Sequence, residues 1–219
     1  MAISKLNYNS LNVTPSANAA IGFDSGADDL ETGAGGGSIN FIKKLTASSS
    51  STLSFVDGSD GVVLDSTYKE YLFTFNNIHP SANQPDFQFN FSIDGGSNYN
   101  VTKTTTTFYA IHSENDATAT LSYHAAFDLA QSTAYQGLAG SVGNTSDESV
   151  SGIFRLFNPS STTFVKHYIT ENQYYNNNTY SQIIYGAGYG NTTSAVDAIQ
   201  FKMSTGNIDA GDICLYGIS

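Results

Sequence analysis

Cysteine occurs once in the 219 residues, at Cys214, and tryptophan is absent. A lone thiol excludes an intrachain disulfide and a thiolate metal cluster within one chain, so stability has to come from packing or assembly. Charge is scarce as well: Asp, Glu, Lys and Arg make up 12% of the chain, about half the usual share. Basic residues are the scarcest, 8 against 19 acidic ones, for a net charge of −11. The resulting field repels phosphate backbones and anionic membranes, so nucleic acid is not expected as a partner. No apolar run approaches the roughly 18 residues of a membrane span. Met1 to Tyr8 carries Lys5 but no apolar run behind it. Neither membrane insertion nor a secretory signal is therefore expected, which places synthesis in a cytoplasm and leaves lysis as one route out.

With so few charges, the polar surface has to be built from Ser, Thr, Asn and Gly. These favour turns and strands, because short polar side chains compete with the helical backbone and glycine leaves it too free. The 14 Tyr and 14 Phe supply large rings that pack well on pleated sheets. Both facts point to an all-β chain.

From Met1 to about Ser38 no period is sustained, and Gly33-Ala34-Gly35-Gly36-Gly37 closes the stretch with a linker composition. Residues 1–38 are read as an extended N-terminal arm. Its spaced apolar residues, among them Ile3, Leu6, Tyr8, Leu11 and Val13, are too many for a plain disordered tail and suit anchors for another surface. The alternative is a first strand plus loops of the same domain.

After the glycines, alternation begins. Ile39, Phe41 and Lys43 share one strand face, and Leu53 to Val56 follows a serine turn. Tyr71, Phe73 and Phe75 alternate with polar or smaller residues, and the clearest period-2 run is Phe87, Phe89, Phe91 and Ile93. Asp94-Gly95-Gly96 reads as a hairpin turn to a return strand over Tyr99 to His112. Ala119 to His124 is a further strand, and Ala126 to Leu138 is the one place where a helical turn is allowed. Strands then follow over 150–157, 164–170, 181–189, 195–204 and 212–218, the last closing a hairpin around Gly206 and Gly211. About nine or ten strands at this rhythm predict an antiparallel β-sandwich, jelly-roll-like, over residues 39–219.

Chemistry is harder to find. The four histidines, His79, His112, His124 and His167, show no metal-ligand spacing. Asp57-Gly58-Ser59-Asp60-Gly61 lacks the glutamate of a calcium loop, since Tyr68 stands at its twelfth position, and it reads as a turn. No nucleophile elbow, phosphate loop or dinucleotide pattern occurs. No catalytic residue, cofactor or metal site is therefore assigned, although Glu70, Glu114, Asp128 and Glu171 could supply carboxylates for glycan hydrolysis if they met in space. One surface feature stands out: Tyr174, Tyr175, Asn176 and Tyr180 fall in a tyrosine- and amide-rich stretch read as an exposed loop, a composition suited to contact with sugars or proteins.

Four stretches carry a resemblance to known proteins. They are Ile3-Ser4-Lys5-Leu6-Asn7-Tyr8-Asn9-Ser10-Leu11-Asn12-Val13, Leu45-Thr46-Ala47-Ser48-Ser49-Ser50-Ser51-Thr52-Leu53-Ser54-Phe55, Phe157-Asn158-Pro159-Ser160-Ser161-Thr162-Thr163-Phe164 and Gly206-Asn207-Ile208-Asp209-Ala210-Gly211-Asp212-Ile213-Cys214-Leu215-Tyr216-Gly217-Ile218. In these the chain resembles a family of small structural proteins encoded by marine tailed bacteriophages. The resemblance implies a non-enzymatic virion component, of capsid-decoration or tail-fibre type, and carries no catalytic or ligand residue with it. On that expectation the arm docks on another virion protein and the sandwich is displayed on the particle. By analogy it forms a homo-oligomer, a trimer first. Recognition of a host-surface glycan is the alternative function.

Overall fold

The computed structural model describes the backbone of residues 21–23 and 30–32 and the whole of residues 38–219. The chain divides into two units, Met1–Asn40 and Phe41–Ser219. In the first, β1 (Ile21–Phe23) pairs antiparallel with β2 (Leu30–Thr32), Ile21 opposite Thr32. The sequence reading placed no strand there, since three residues are too few to establish a period. The arm residues Ile3, Leu6, Tyr8, Leu11 and Val13 lie outside the described residues.

The remaining strands are β3 (Ile39–Thr46), β4 (Leu53–Val56), β5 (Glu70–Pro80), β6 (Phe87–Ser92), β7 (Lys103–Ser113), β8 (Ala119–Tyr123), β9 (Gln136–Ala139), β10 (Val150–Phe157), β11 (Lys166–Asn176), β12 (Tyr180–Gly190), β13 (Ala198–Met203) and β14 (Ile208–Ile218). They form two antiparallel sheets of unequal width. The larger has the order β3-β14-β5-β10-β11-β12-β7-β8 and the smaller β4-β13-β6-β9. The chain is an all-β sandwich whose strands repeatedly change sheet, as from β3 to β4 to β5 to β6 to β7.

Period-2 patterning explains which faces meet. In β6 the rings of Phe87, Phe89 and Phe91 are buried, in β5 those of Tyr71, Phe73 and Phe75, and in β11 every even-numbered residue from Lys166 to Asn176. These inward residues interlock between the sheets. Phe89 of the smaller sheet lies 4.7 Å from Phe154 and 5.1 Å from Tyr168, edge to face, on β10 and β11 of the larger. Phe201 of β13 meets Phe73 at 5.6 Å and Phe75 at 5.2 Å. Edge-to-face rings contribute about 0.5–1.5 kcal/mol per pair beyond the area they bury, so this cluster holds the sheets in register as well as together.

One glycine is fixed by close approach. The register of β10 against β5 shifts between Val150 and Gly152. There a Cβ on Gly152 would stand 2.4 Å from the carbonyl oxygen of Glu171, on β11. Asn77 adopts φ 51° on the β5 side of the irregularity, and its N–H donates to Ser151 Oγ at 3.1 Å.

Three local expectations need correction. Asp94-Gly95-Gly96 is a turn, with φ 69° and 78° at the two glycines, but β6 and β7 belong to different sheets and are not a hairpin. The turn around Gly206 likewise carries the chain across the sandwich from β13 to β14, which lies between β3 and β5. Residues 126–138 hold no helix: they are turns leading into β9, all four of whose residues are buried. Alternation in β3 also slips at Ile42-Lys43, so that Phe41 is exposed while Lys43 is partly covered and paired with Asp60.

Candidate functional site

The smaller sheet is only half as wide as the larger, and its aromatic contacts reach Phe73, Phe75, Phe154 and Tyr168, on β5, β10 and β11. Its β9 edge packs over β11 and β12. Residues 124–132 continue from β8 along the edge of β7, the Thr107 carbonyl accepting the His124 N–H and the Thr105 N–H donating to the Leu129 carbonyl, both at 2.9 Å, and Lys103 bridging Ser132. Beside them a cleft of about 370 Å³ is left open.

Each wall of the cleft has a local cause. Asp86 precedes β6, where its backbone is pinned to the end of β13: its N–H donates to Ser204 Oγ and its carbonyl accepts the Ser204 N–H, both at 2.8 Å. Its carboxylate Oδ1 accepts the N–H of Ser141 at 3.2 Å. Gly140, next to it, donates its N–H to the buried Tyr174 hydroxyl at 3.1 Å. Opposite, the turn after β8 is held by the Phe127 N–H donating to the His124 carbonyl at 3.0 Å. That turn sets the His124 ring edge to face between Phe127, 4.3 Å away, and Tyr109 of β7, 5.0 Å away. Tyr180 and Gln182 of β12 and Asn178 of the preceding turn complete the rim.

Burial raises the Asp86 carboxyl above its ordinary range, against the Ser141 N–H and the His124 ring, which lower it. Burial likewise lowers His124 below 6.5, against the opposing pull of Asp86 and Asp128. At neutral pH the histidine is therefore uncharged, and its Nδ1 is buried with no hydrogen-bonding partner. Among the described residues Asp86 is the single carboxylate lining the cleft, and no lysine or arginine lines it. The cleft thus offers aromatic faces, one hydrogen-bonded acid, neutral amides and an unpaired ring nitrogen.

The tyrosine-rich stretch is not a long exposed loop. Tyr174 and Asn176 are buried residues of β11, Tyr180 opens β12, and only Asn177-Asn178-Thr179 turns between them. The reason lies in period 2: Tyr174 and Asn176 continue the inward row of β11, while Tyr175 points outward and donates its hydroxyl to Glu114 at 3.2 Å. Asn176 is committed to the turn, its Oδ1 accepting the N–H groups of Asn178 and Tyr180 and its amide nitrogen donating to Gln182 Oε1 at 3.0 Å. The structure nonetheless brings Tyr174, Asn176 and Tyr180 to the cleft and leaves Tyr175 away from it. Asp86, Tyr109 and His124 were missed because nothing in sequence links positions so far apart.

The other acidic residues have ordinary partners. Glu70 pairs with Arg155, Glu171 accepts the Tyr185 hydroxyl at 3.3 Å, and Asp128 accepts that of Tyr123 at 2.8 Å. In the Asp57 turn, Asp57 Oδ1 accepts the Leu64 N–H at 2.7 Å and Asp60 pairs with Lys43. Among the described residues no group of three or more His, Cys, Asp and Glu side chains is placed to hold a metal ion. Comparison with known proteins finds no match: no family model, no curated protein and no solved structure aligns with the chain.

Proposed function

We propose that this chain is a non-enzymatic structural protein of a tailed-bacteriophage particle, a capsid decoration or tail-fibre component. Its arm, residues 1–38, docks on another virion protein, and its sandwich is displayed outward among neighbouring copies of itself. The phage-like segments Ile3 to Val13, Leu45 to Phe55, Phe157 to Phe164 and Gly206 to Ile218 support the kinship.

The observation that carries the proposal is the outer face of the larger sheet. A domain with a closed aromatic core has no need of large apolar residues outside, yet this face presents Leu121 at 73% exposure, Phe41 at 61%, Tyr123, Ile169 and a Phe108–Tyr185 stack with ring centres 5.1 Å apart. Two of its basic residues are paired, Arg155 with Glu70 and Lys44 with Asp212, while Glu171 and Asp128 accept the Tyr185 and Tyr123 hydroxyls. The exposed apolar residues are what suit this face to contact with a second copy of the chain. A homo-oligomer, with a trimer as the first expectation, fits such a face. Ordering of the arm on binding, with Ile3, Leu6, Tyr8, Leu11 and Val13 as its apolar contacts, supplies attachment to the particle.

Deleting residues 1–36 tests the attachment. The shortened chain is expected to remain folded and self-associated by sedimentation, but to be absent from particles assembled in its presence, as read by mass spectrometry of purified virions. Incorporation at the level of the full chain would remove the docking role of the arm. A second role for the same domain, recognition of a host-surface glycan, is favoured by one observation: the convergence of Tyr174, Asn176 and Tyr180 on the cleft beside Asp86 and His124.

A further inference from the structure

We infer that the cleft between the turn after β8 and the β11–β12 turn is a binding site for a single neutral pyranose unit of a saccharide. Asp86 and His124 supply its polar contacts, and the ring of Tyr180 supplies its apolar platform. The inference rests on the glycan-recognition reading and gives that reading an address.

Three features select this chemistry. A pyranose is amphipathic, with C–H groups on its flat faces and hydroxyls around its edge, and it needs rings beside polar groups. The cleft pairs Tyr109, Phe127 and Tyr180 with Asp86, His124 and Gln182. Tyrosine suits such contact because it contributes area at small entropic cost. Hydroxyls both donate and accept, and the site meets both needs: the Asp86 carboxylate accepts only, while the amides of Asn178 and Gln182 offer donors and acceptors. His124 lines the cleft with an uncharged ring whose buried Nδ1 has no hydrogen-bonding partner among the described residues, so the ring is free to reorient toward a ligand hydroxyl.

Charge excludes the main competitors. Among the described residues no lysine or arginine lines the cleft and Asp86 is its one carboxylate, so phosphorylated, sulfated or uronic ligands would meet repulsion with no compensating cation. The single carboxylate also argues for binding over hydrolysis, because glycoside hydrolysis generally takes two carboxyl groups facing each other across the bond. At about 370 Å³ the space lies at the small end of ligand pockets, which run roughly 300–1,000 Å³ and take drug-sized molecules, so one sugar ring is the fitting occupant.

The test uses the full chain and the methyl glycosides of glucose, galactose, mannose and N-acetylglucosamine, with glucuronate as the anionic control. Each is added at roughly ten times a millimolar Kd. Saturation-transfer NMR reads the ligand, and imidazole resonances of the protein report the four histidines. At least one neutral glycoside is expected to show transfer and to move the His124 resonances while leaving those of His112 and His167 in place. Glucuronate is expected to show neither effect. Asp86→Asn and Tyr180→Ala should each weaken binding at least tenfold, and Tyr180→Phe, which keeps the ring, should weaken it less. The inference is overturned if no neutral glycoside binds, if glucuronate binds as well, or if binding leaves His124 unmoved. The histidine readout stands even where a variant fails to fold. Since the experiment is done on the isolated chain, a negative result leaves the virion proposal untouched, and absence of the chain from particles would leave a positive result standing.

Discussion

Phe201→Ala is expected to lower the unfolding free energy by about 3–5 kcal/mol, the range for removing a buried aromatic ring. Phe201 is fully buried at the centre of the smaller sheet and meets six other rings within 6.5 Å: Phe55, Phe73, Phe75, Phe87, Phe89 and Phe154. Those rings come from both sheets, so the cavity would open at the interface and no single strand could move in to fill it. At about 2–4 °C per kcal/mol for a chain of this size, the thermal midpoint should fall by about 6–20 °C. Phe164→Ala in the loop before β11 is the control. Phe164 is 68% exposed and should cost less than about 1 kcal/mol, since surface positions away from the core seldom cost more. Equal losses for the two variants, measured by urea unfolding, would contradict an interior built around Phe201.

The second large effect is a dependence on pH. Lys103, at the start of β7, is fully buried. Its ammonium donates to Asn90 Oδ1 at 2.5 Å and to the Val101 carbonyl at 2.9 Å, with no carboxylate partner among the described residues. Burial therefore pushes it from 10.5 down to about 7. Below pH 7 the folded and unfolded chains both hold the proton, and the full cost of burying charge is present. Between about pH 7 and 10.5 the unfolded chain still binds the proton that the folded chain has released, so unfolding free energy rises with pH. The buried phenols of Tyr71, Tyr168 and Tyr174 limit the window from above. Burial raises all three, so stability is lost again once the unfolded tyrosines ionise near pH 10. Urea midpoints of the wild-type chain should therefore climb from pH 7 to about 9.5 and then turn down.

Lys103→Met should flatten most of the climb, leaving the smaller part due to Lys166, which burial also lowers, and should stabilise the chain at pH 6 by about 1–3 kcal/mol, because a well-packed apolar replacement often improves on a buried charge. Asn90 Oδ1 is not orphaned by the change, since it also accepts the Phe91 N–H at 2.9 Å. A wild-type stability that is flat from pH 7 to 9.5, or a methionine variant that is weaker at pH 6, would show that the ammonium is hydrated or paired in solution.

Much of the fold is legible in the chain because alternation directly reports which face of a strand is buried. The β10 span is read residue for residue as Val150–Phe157, and Phe87, Phe89 and Phe91 do line the interior, whereas Ile93, read onto the same face, lies past the end of β6 and is exposed. What alternation does not report is the neighbour. The turns at Gly95 and Gly206 look like hairpin turns, but β6 and β13 pair with each other in the smaller sheet, Phe89 opposite Phe201, and no local signal in the chain reports that distant partner. Tyr174 and Asn176 were misplaced for a related reason: tyrosines and amides suit both an exposed loop and the end of a half-buried strand, and only the unbroken inward row from Lys166 separates the two. The cleft was illegible because its walls come from separate elements that only the topology brings together, Asp86 before β6, His124 after β8 and Tyr180 in β12.

Electron cryo-microscopy of phage particles whose genome encodes this chain measures the proposed role most directly. The account predicts the sandwich on the outside of the capsid or tail, the outer face of its larger sheet against a second copy, and residues 1–38 running into a neighbouring virion protein. Particles that lack the chain, or that hold it by the sandwich while residues 1–38 face solvent, would contradict it.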